Sequence, residues 1–141
     1  MKENVKIIIA EDDAGHFQLV KQNLWLSCFN HEILHFKNGQ EVLDFLSEQK
    51  NIDANSYILI LDIRMPKMDG YEVLEKIKAD QELKKIPVIM LTTTAEESEI
   101  QKCYELGCSF YMVKPVDYQQ FMNVVDSLGC FLSLENIRLV S

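Results

Sequence analysis

The chain has 141 residues, enough for one domain that buries roughly two-thirds of the surface of its unfolded form. Its 48% apolar content is that of a globular core and argues against disorder. Its net charge of −8 argues against nucleic acid as a direct partner, because phosphate binding needs clustered Lys and Arg. The opening residues MKENVKIIIAEDD hold too short an apolar run for a signal peptide or a membrane span, so a cytoplasmic location is expected. Cys28, Cys103, Cys108 and Cys130 show no zinc spacing, and His16, His31 and His35 lie elsewhere in the chain. Reduced core or surface thiols are the expectation.

The first strand is predicted over Val5 to Ala10, ending in Glu11-Asp12-Asp13. A helix follows with Phe17, Val20, Leu24 and Cys28 on one face. A short second strand lies around His31 to Phe36. Asn38 with Glu41 has capping-box spacing and opens a second helix, with Val42, Leu43 and Leu46 inward. Lys50 to Ser56 reads as a polar loop. Tyr57 to Leu61 is an unbroken apolar run, the pattern of a strand covered on both faces, and it leads into Asp62. Met65-Pro66 marks a turn. Asp69 and Glu72 repeat the capping spacing before a third helix with Val73, Leu74 and Ile77 inward. Pro87 precedes a fourth strand, Val88 to Leu91, ending in Thr92-Thr93-Thr94. A fourth helix is expected from about Ala95 to Leu106, stopped by Gly107. Ser109 to Val113 is the fifth strand, followed by Lys114-Pro115. Asp117 caps a fifth helix with Phe121, Val124, Val125 and Leu128 inward.

Five alternations of strand and helix predict an α/β fold, a parallel sheet with helices on both faces. The flavodoxin-like (βα)5 order 2-1-3-4-5 fits and sets strands one, three, four and five side by side in the middle of the sheet. Ligands in such sheets sit at the C-terminal strand ends. Those ends carry Glu11, Asp12 and Asp13, then Asp62, Thr92 and Lys114. Taken singly, each has a plain reading. Asp62 caps a turn, the acidic trio complements a helix dipole, Thr92 caps a helix, and Lys114 is a surface lysine. Taken together, an all-oxygen acidic set suits a hard cation, Mg²⁺ first. A carboxylate beside that cation, a hydroxyl and an ammonium is equipped to attack phosphorus and form an aspartyl phosphate on Asp62.

With these residues in place, the chain resembles the receiver domain of bacterial two-component response regulators. The likeness rests on Glu11-Asp12, Asp62 with Met65-Pro66 and Gly70, Thr92, Tyr111 and Lys114-Pro115, with 30 residues from Asp62 to Thr92 and 22 from Thr92 to Lys114. The resemblance implies a receiver domain over residues 5–128 and an apolar C-terminal extension over 129–141, expected to fold back or to form a dimer or partner surface. It implies phosphorylation of Asp62 by a histidine kinase or phosphotransfer protein. It implies Mg²⁺ held by Asp12, Asp62, the backbone carbonyl of Arg64 and, through water, Glu11. Thr92, the Thr93 backbone and Lys114 would hold phosphoryl oxygens, the bond before Pro115 would be cis, and Tyr111 would turn inward as Thr92 moves. The output would be a changed protein-binding surface and not turnover of outside substrates, with no membrane and no DNA-binding segment. The segments Ile77 to Asp80, Ile86 to Thr93 and Tyr111 to Asp117 look like single-domain regulators that partner bacterial phytochromes and related histidine kinases, while Ala14-Gly15-His16 departs from their usual helix start. Two other readings compete. An aspartyl-phosphate phosphatase would carry an acid–base Asp two residues after its nucleophile, where Arg64 stands. A flavin-binding module would need a phosphate loop where Glu11-Asp12-Asp13 repels phosphate.

Overall fold

The computed structural model describes residues 6–26, 32–49, 51–93, 96–114, 119 and 123. A five-stranded parallel sheet runs in the order β2-β1-β3-β4-β5, the flavodoxin-like arrangement expected from the alternation. The strands are β1 (Lys6–Ala10), β2 (Ile33–Phe36), β3 (Tyr57–Asp62), β4 (Val88–Thr92) and β5 (Phe110–Val113). The helices are α1 (Ala14–Leu26), α2 (Gly39–Ser47), α3 (Gly70–Lys78) and α4 (Glu97–Glu105). Short 3-10 turns at Ala54–Ser56 and Leu83–Lys85 lead into β3 and β4, the first lying inside the predicted polar loop. β5 lies at an edge of the sheet and not in its middle. The fifth helix, Leu24's side chain, Cys28, Pro115 and the 129–141 extension fall outside the described residues.

β3 is buried at all six positions, which is why its sequence lacks the polar alternation of a half-exposed strand. Its side chains divide between two cores. Leu59 and Leu61 join Ile8, Ala10, Val88 and Met90 against Val42 and Leu46 of α2 and Val73, Leu74 and Ile77 of α3. Ile58 and Ile60 join Ile7, Ile9, Ile89, Leu91 and Met112 against Val20, with Phe17 packed at the margin. Burial of each such side chain contributes about 1.5–3 kcal/mol before the entropy of ordering is subtracted.

Helix ends follow the capping signals with local variations. Asn38 Oδ1 accepts from Glu41 N at 3.0 Å, while Glu41 Oε1 accepts from Lys37 N at 2.8 Å, one residue before the expected partner. Asp69 Oδ1 accepts from Glu72 N at 2.9 Å. α4 begins at Glu97, two residues later than expected, because Glu96 is still in extended conformation. Gly107, at φ +101°, closes that helix with the paired Cys108 N to Cys103 O and Gly107 N to Tyr104 O bonds of a Schellman motif.

Candidate functional site

The strand register assembles one polar cluster. Ala10 pairs with Leu61, Asp62 with Leu91 and Thr92 with Val113, so Glu11, Asp62, Thr92 and Lys114 emerge at the same C-terminal edge. Lys114 N donates to Thr92 O at 2.6 Å, tying the last two strands together. Glu11 is fully buried, and its backbone is held by β2. Its N–H donates to Phe36 O at 3.0 Å, and its carbonyl takes a 2.8 Å bond from His35 Nε2.

Glu11, Asp12 and Asp62 each offer a carboxylate oxygen, all within 4.8 Å of one another. Lys114 Nζ is 2.9 Å from Glu11 Oε2 and 3.1 Å from Asp62 Oδ2. Burial raises the pKa of Asp62 to about 7, helped by the Glu11 charge and a hydrogen bond with Glu11, and opposed by Lys114. Burial works against the Lys114 charge, but the Glu11 hydrogen bond and the Asp62 and Glu11 carboxylates outweigh it and raise its pKa. One ammonium thus faces two buried carboxylates, with exposed Asp12 beside them. The set is all oxygen, tightly spaced and short of positive charge, and it fits a hard divalent cation.

The loop after β3 is folded tightly. Ile63 N donates to Leu91 O at 3.0 Å, and Gly70 N returns to Ile63 O at 2.8 Å. Between them Lys67 takes φ 66°, with Met68 N bonded to Pro66 O at 2.7 Å. Gly70 is obligatory there, since a Cβ would run into the Asp62 carbonyl oxygen and come 2.8 Å from Ile63 Cα. Arg64 N approaches Asp62 Oδ1 at 3.4 Å, a weak contact. The Arg64 side chain turns away to pair with Glu99 of α4 at 2.6 Å. Thr92 is almost fully buried, and Thr93 is exposed beside it. Tyr111 is half-buried and hydrogen-bonded to the Thr92 side chain, so the two predicted switch residues already touch. Burial raises the Tyr111 pKa, and the Thr92 bond partly offsets it.

One residue that strand-end reasoning did not select, His16, joins the site, and Asp13 places it. Asp13, which lies just after the acidic pair, caps α1, its Oδ1 accepting from His16 N at 2.9 Å. That bond is the leading cause of a lowered Asp13 pKa. His16 in turn sets its Nδ1 3.0 Å from Lys114 Nζ. The available signal was the three-residue step from Asp13 to His16, N-cap spacing that fixes where the first turn of α1 faces.

Residues 7–126 match the family model for the response regulator receiver domain, and the chain belongs to that family. It is 32% identical to response regulator Rcp1 of Synechocystis over 135 residues, covering 94% of this chain and 91% of that protein. The Mn²⁺-bound structure of Rcp1 superposes with a TM-score of 0.72 at 32% identity, covering 92% and 94% of the two chains. The bacteriophytochrome response regulator RtBRR gives a TM-score of 0.79 at 33% identity, covering 95% and 89%. The phosphorylated cyanobacterial phytochrome response regulator RcpA gives 0.72 at 32% identity, covering 92% and 94%. Among the described residues no helix is long and apolar enough to cross a membrane.

Proposed function

We propose that this chain is a phosphorelay response regulator whose Asp62 accepts a phosphoryl group in a Mg²⁺-dependent reaction. The observation that carries the reading is Asp62 itself. It is a buried carboxylate at the end of the central strand, within the acidic triad and 3.1 Å from Lys114 Nζ. A carboxylate oxygen of Asp62 would bond to phosphorus as the P–N bond of a phosphohistidine donor breaks. The electron pair would return to the donor imidazole, which takes a proton from solvent. Lys114 and the Thr92 hydroxyl, with the Thr93 backbone N–H, would hold the phosphoryl oxygens. Asp12, Asp62, the Arg64 carbonyl and, through water, Glu11 would hold Mg²⁺, which supplies the positive charge that carboxylates and phosphoryl oxygens share.

The signal would pass through Thr92 and Tyr111. Their present hydrogen bond would be exchanged as Thr92 turns to the phosphoryl group, altering the α4–β5 surface offered to a downstream protein. The phosphodonor would be a histidine kinase, of phytochrome type by analogy with Rcp1, RcpA and RtBRR, or a phosphotransfer protein. Within this reading residues 5–128 are the receiver domain, and 129–141 supply a dimer or partner surface. Arg64, standing where a phosphatase would need an acid–base Asp, favours a signalling phosphoacceptor with at most self-dephosphorylation.

Incubation with ³²P-labelled acetyl phosphate should label the protein only when Mg²⁺ is present. Asp62→Asn should fold and take no label; a variant that still labels would falsify the assignment. Phosphotransfer from a panel of histidine kinases would then identify the donor.

A further inference from the structure

We propose that His16 is a positioning residue for Lys114, the one ammonium partner that stays constant through phosphoryl transfer. An ammonium has three N–H donors and no acceptor. Lys114 directs them to Glu11 Oε2 at 2.9 Å, Asp62 Oδ2 at 3.1 Å and His16 Nδ1 at 3.0 Å. These acceptors come from the end of β1, the end of β3 and the first turn of α1, so they hold the ammonium from three elements. The lysine can only donate, so the contact is a hydrogen bond in the tautomer that leaves Nδ1 to accept and carries its hydrogen on Nε2.

The three acceptors do not share a fate. Asp62 is the phosphoacceptor in the reading above, on which this inference rests, and its contact is the one to be exchanged for a phosphoryl oxygen. Glu11 belongs to the acidic triad and would be shared with a cation bound there. His16 alone belongs to neither role. Its backbone is anchored by the Asp13 cap, and its ring, with the side chain 39% exposed, stands at the mouth of the site. As a neutral acceptor it holds the ammonium without cancelling the charge that an incoming phosphoryl group needs. A carboxylate at this position would hold Lys114 as well but would repel phosphate.

The test follows labelling of the full chain by ³²P-acetyl phosphate at saturating Mg²⁺, across phosphodonor concentration. His16→Ala is expected to lower the maximal rate about tenfold, the scale of one hydrogen bond to a charged group. The half-saturating phosphodonor concentration and the Mg²⁺ affinity should stay within about twofold of the unaltered protein. His16→Asn places a carbonyl oxygen where Nδ1 sits and should restore most of the rate. His16→Gln places it where Nε2 sits and should not. An Ala variant as fast as the unaltered protein, or an Asn variant as slow as Ala, overturns the inference while leaving the phosphoacceptor reading intact. An unaltered protein that takes no label overturns both.

Discussion

Asp62→Asn should make the metal-free protein more stable near pH 8. The residue is 3% exposed, and its pKa moves from 3.8 to about 7 because burial and the Glu11 charge disfavour ionisation. A shift of about 3 units at ~1.4 kcal/mol per unit sets an upper limit of about 4 kcal/mol on the cost of ionising it in the fold. That limit already includes the pull of Lys114; the amide, whose NH2 cannot accept where a carboxylate oxygen did, recovers only part, about 2 kcal/mol. At about 2.1 cal/mol/K per residue over 141 residues, this raises Tm by roughly 7 °C. The pH dependence has a definite sign. Between the ordinary carboxylate range and about pH 7 the folded chain keeps a proton that the unfolded chain has released, so stability falls as pH rises through that window. The gain from Asn should therefore be large at pH 8, much smaller at pH 4.5, and reduced at pH 8 by saturating Mg²⁺. Thermal melts under the three conditions measure it. An Asn variant no more stable than the parent at pH 8 without metal, or a gain of equal size at pH 4.5, refutes the electrostatic account.

Lys114→Met leaves Glu11 and Asp62 buried without their ammonium and should cost about 3–5 kcal/mol in urea unfolding at pH 8. Adding Asp62→Asn should recover at least half of that loss, and a loss below about 1 kcal/mol would count against the pairing. Gly70→Ala forces a Cβ into the Asp62–Ile63 backbone and should lower stability by about 2 kcal/mol while slowing Asp62 labelling; an unchanged Cm and labelling rate would show that the loop can give way. Burial pushes the Cys108 thiol up to about 12, so iodoacetamide should leave it unmodified in the native protein at pH 8 and alkylate it in urea, as read by peptide mass.

What was legible in the sequence depended on how local its cause was. Ile58 to Leu61 announced a strand because both faces of β3 need apolar cover, and the first charged residue after it marked the strand end. Asp62, Thr92 and Lys114 were legible in the same way, as the residues that stop three strands whose neighbours are set by right-handed crossovers. His16 was not. Its importance comes from Lys114, 98 residues away, and a histidine in a first helical turn carries no mark of that contact. The start of α4 was also missed, since Glu96 and Glu97 look alike in sequence and only the extended backbone of Glu96 separates cap from helix. The Arg64–Glu99 pair joins a loop to a helix through one exposed guanidinium, a contact that no periodicity encodes.

The electrostatics of the strand ends bear on the proposed role of Asp62 as phosphoacceptor. A carboxyl group with a pKa of about 7 is partly protonated at neutral pH, and the protonated form is a poor nucleophile. Lys114 alone does not overcome this, because Glu11 draws on the same ammonium from 2.9 Å. The surplus of negative charge that holds Asp62 back is also what would draw a divalent cation to the triad, and cation binding would favour the ionised form. The proposed nucleophile and the proposed cation site would thus be linked through one set of charges. Replacing Glu11 with Gln should weaken that link from the other side, with Asp62 ionising more readily and depending less on the cation for its charge.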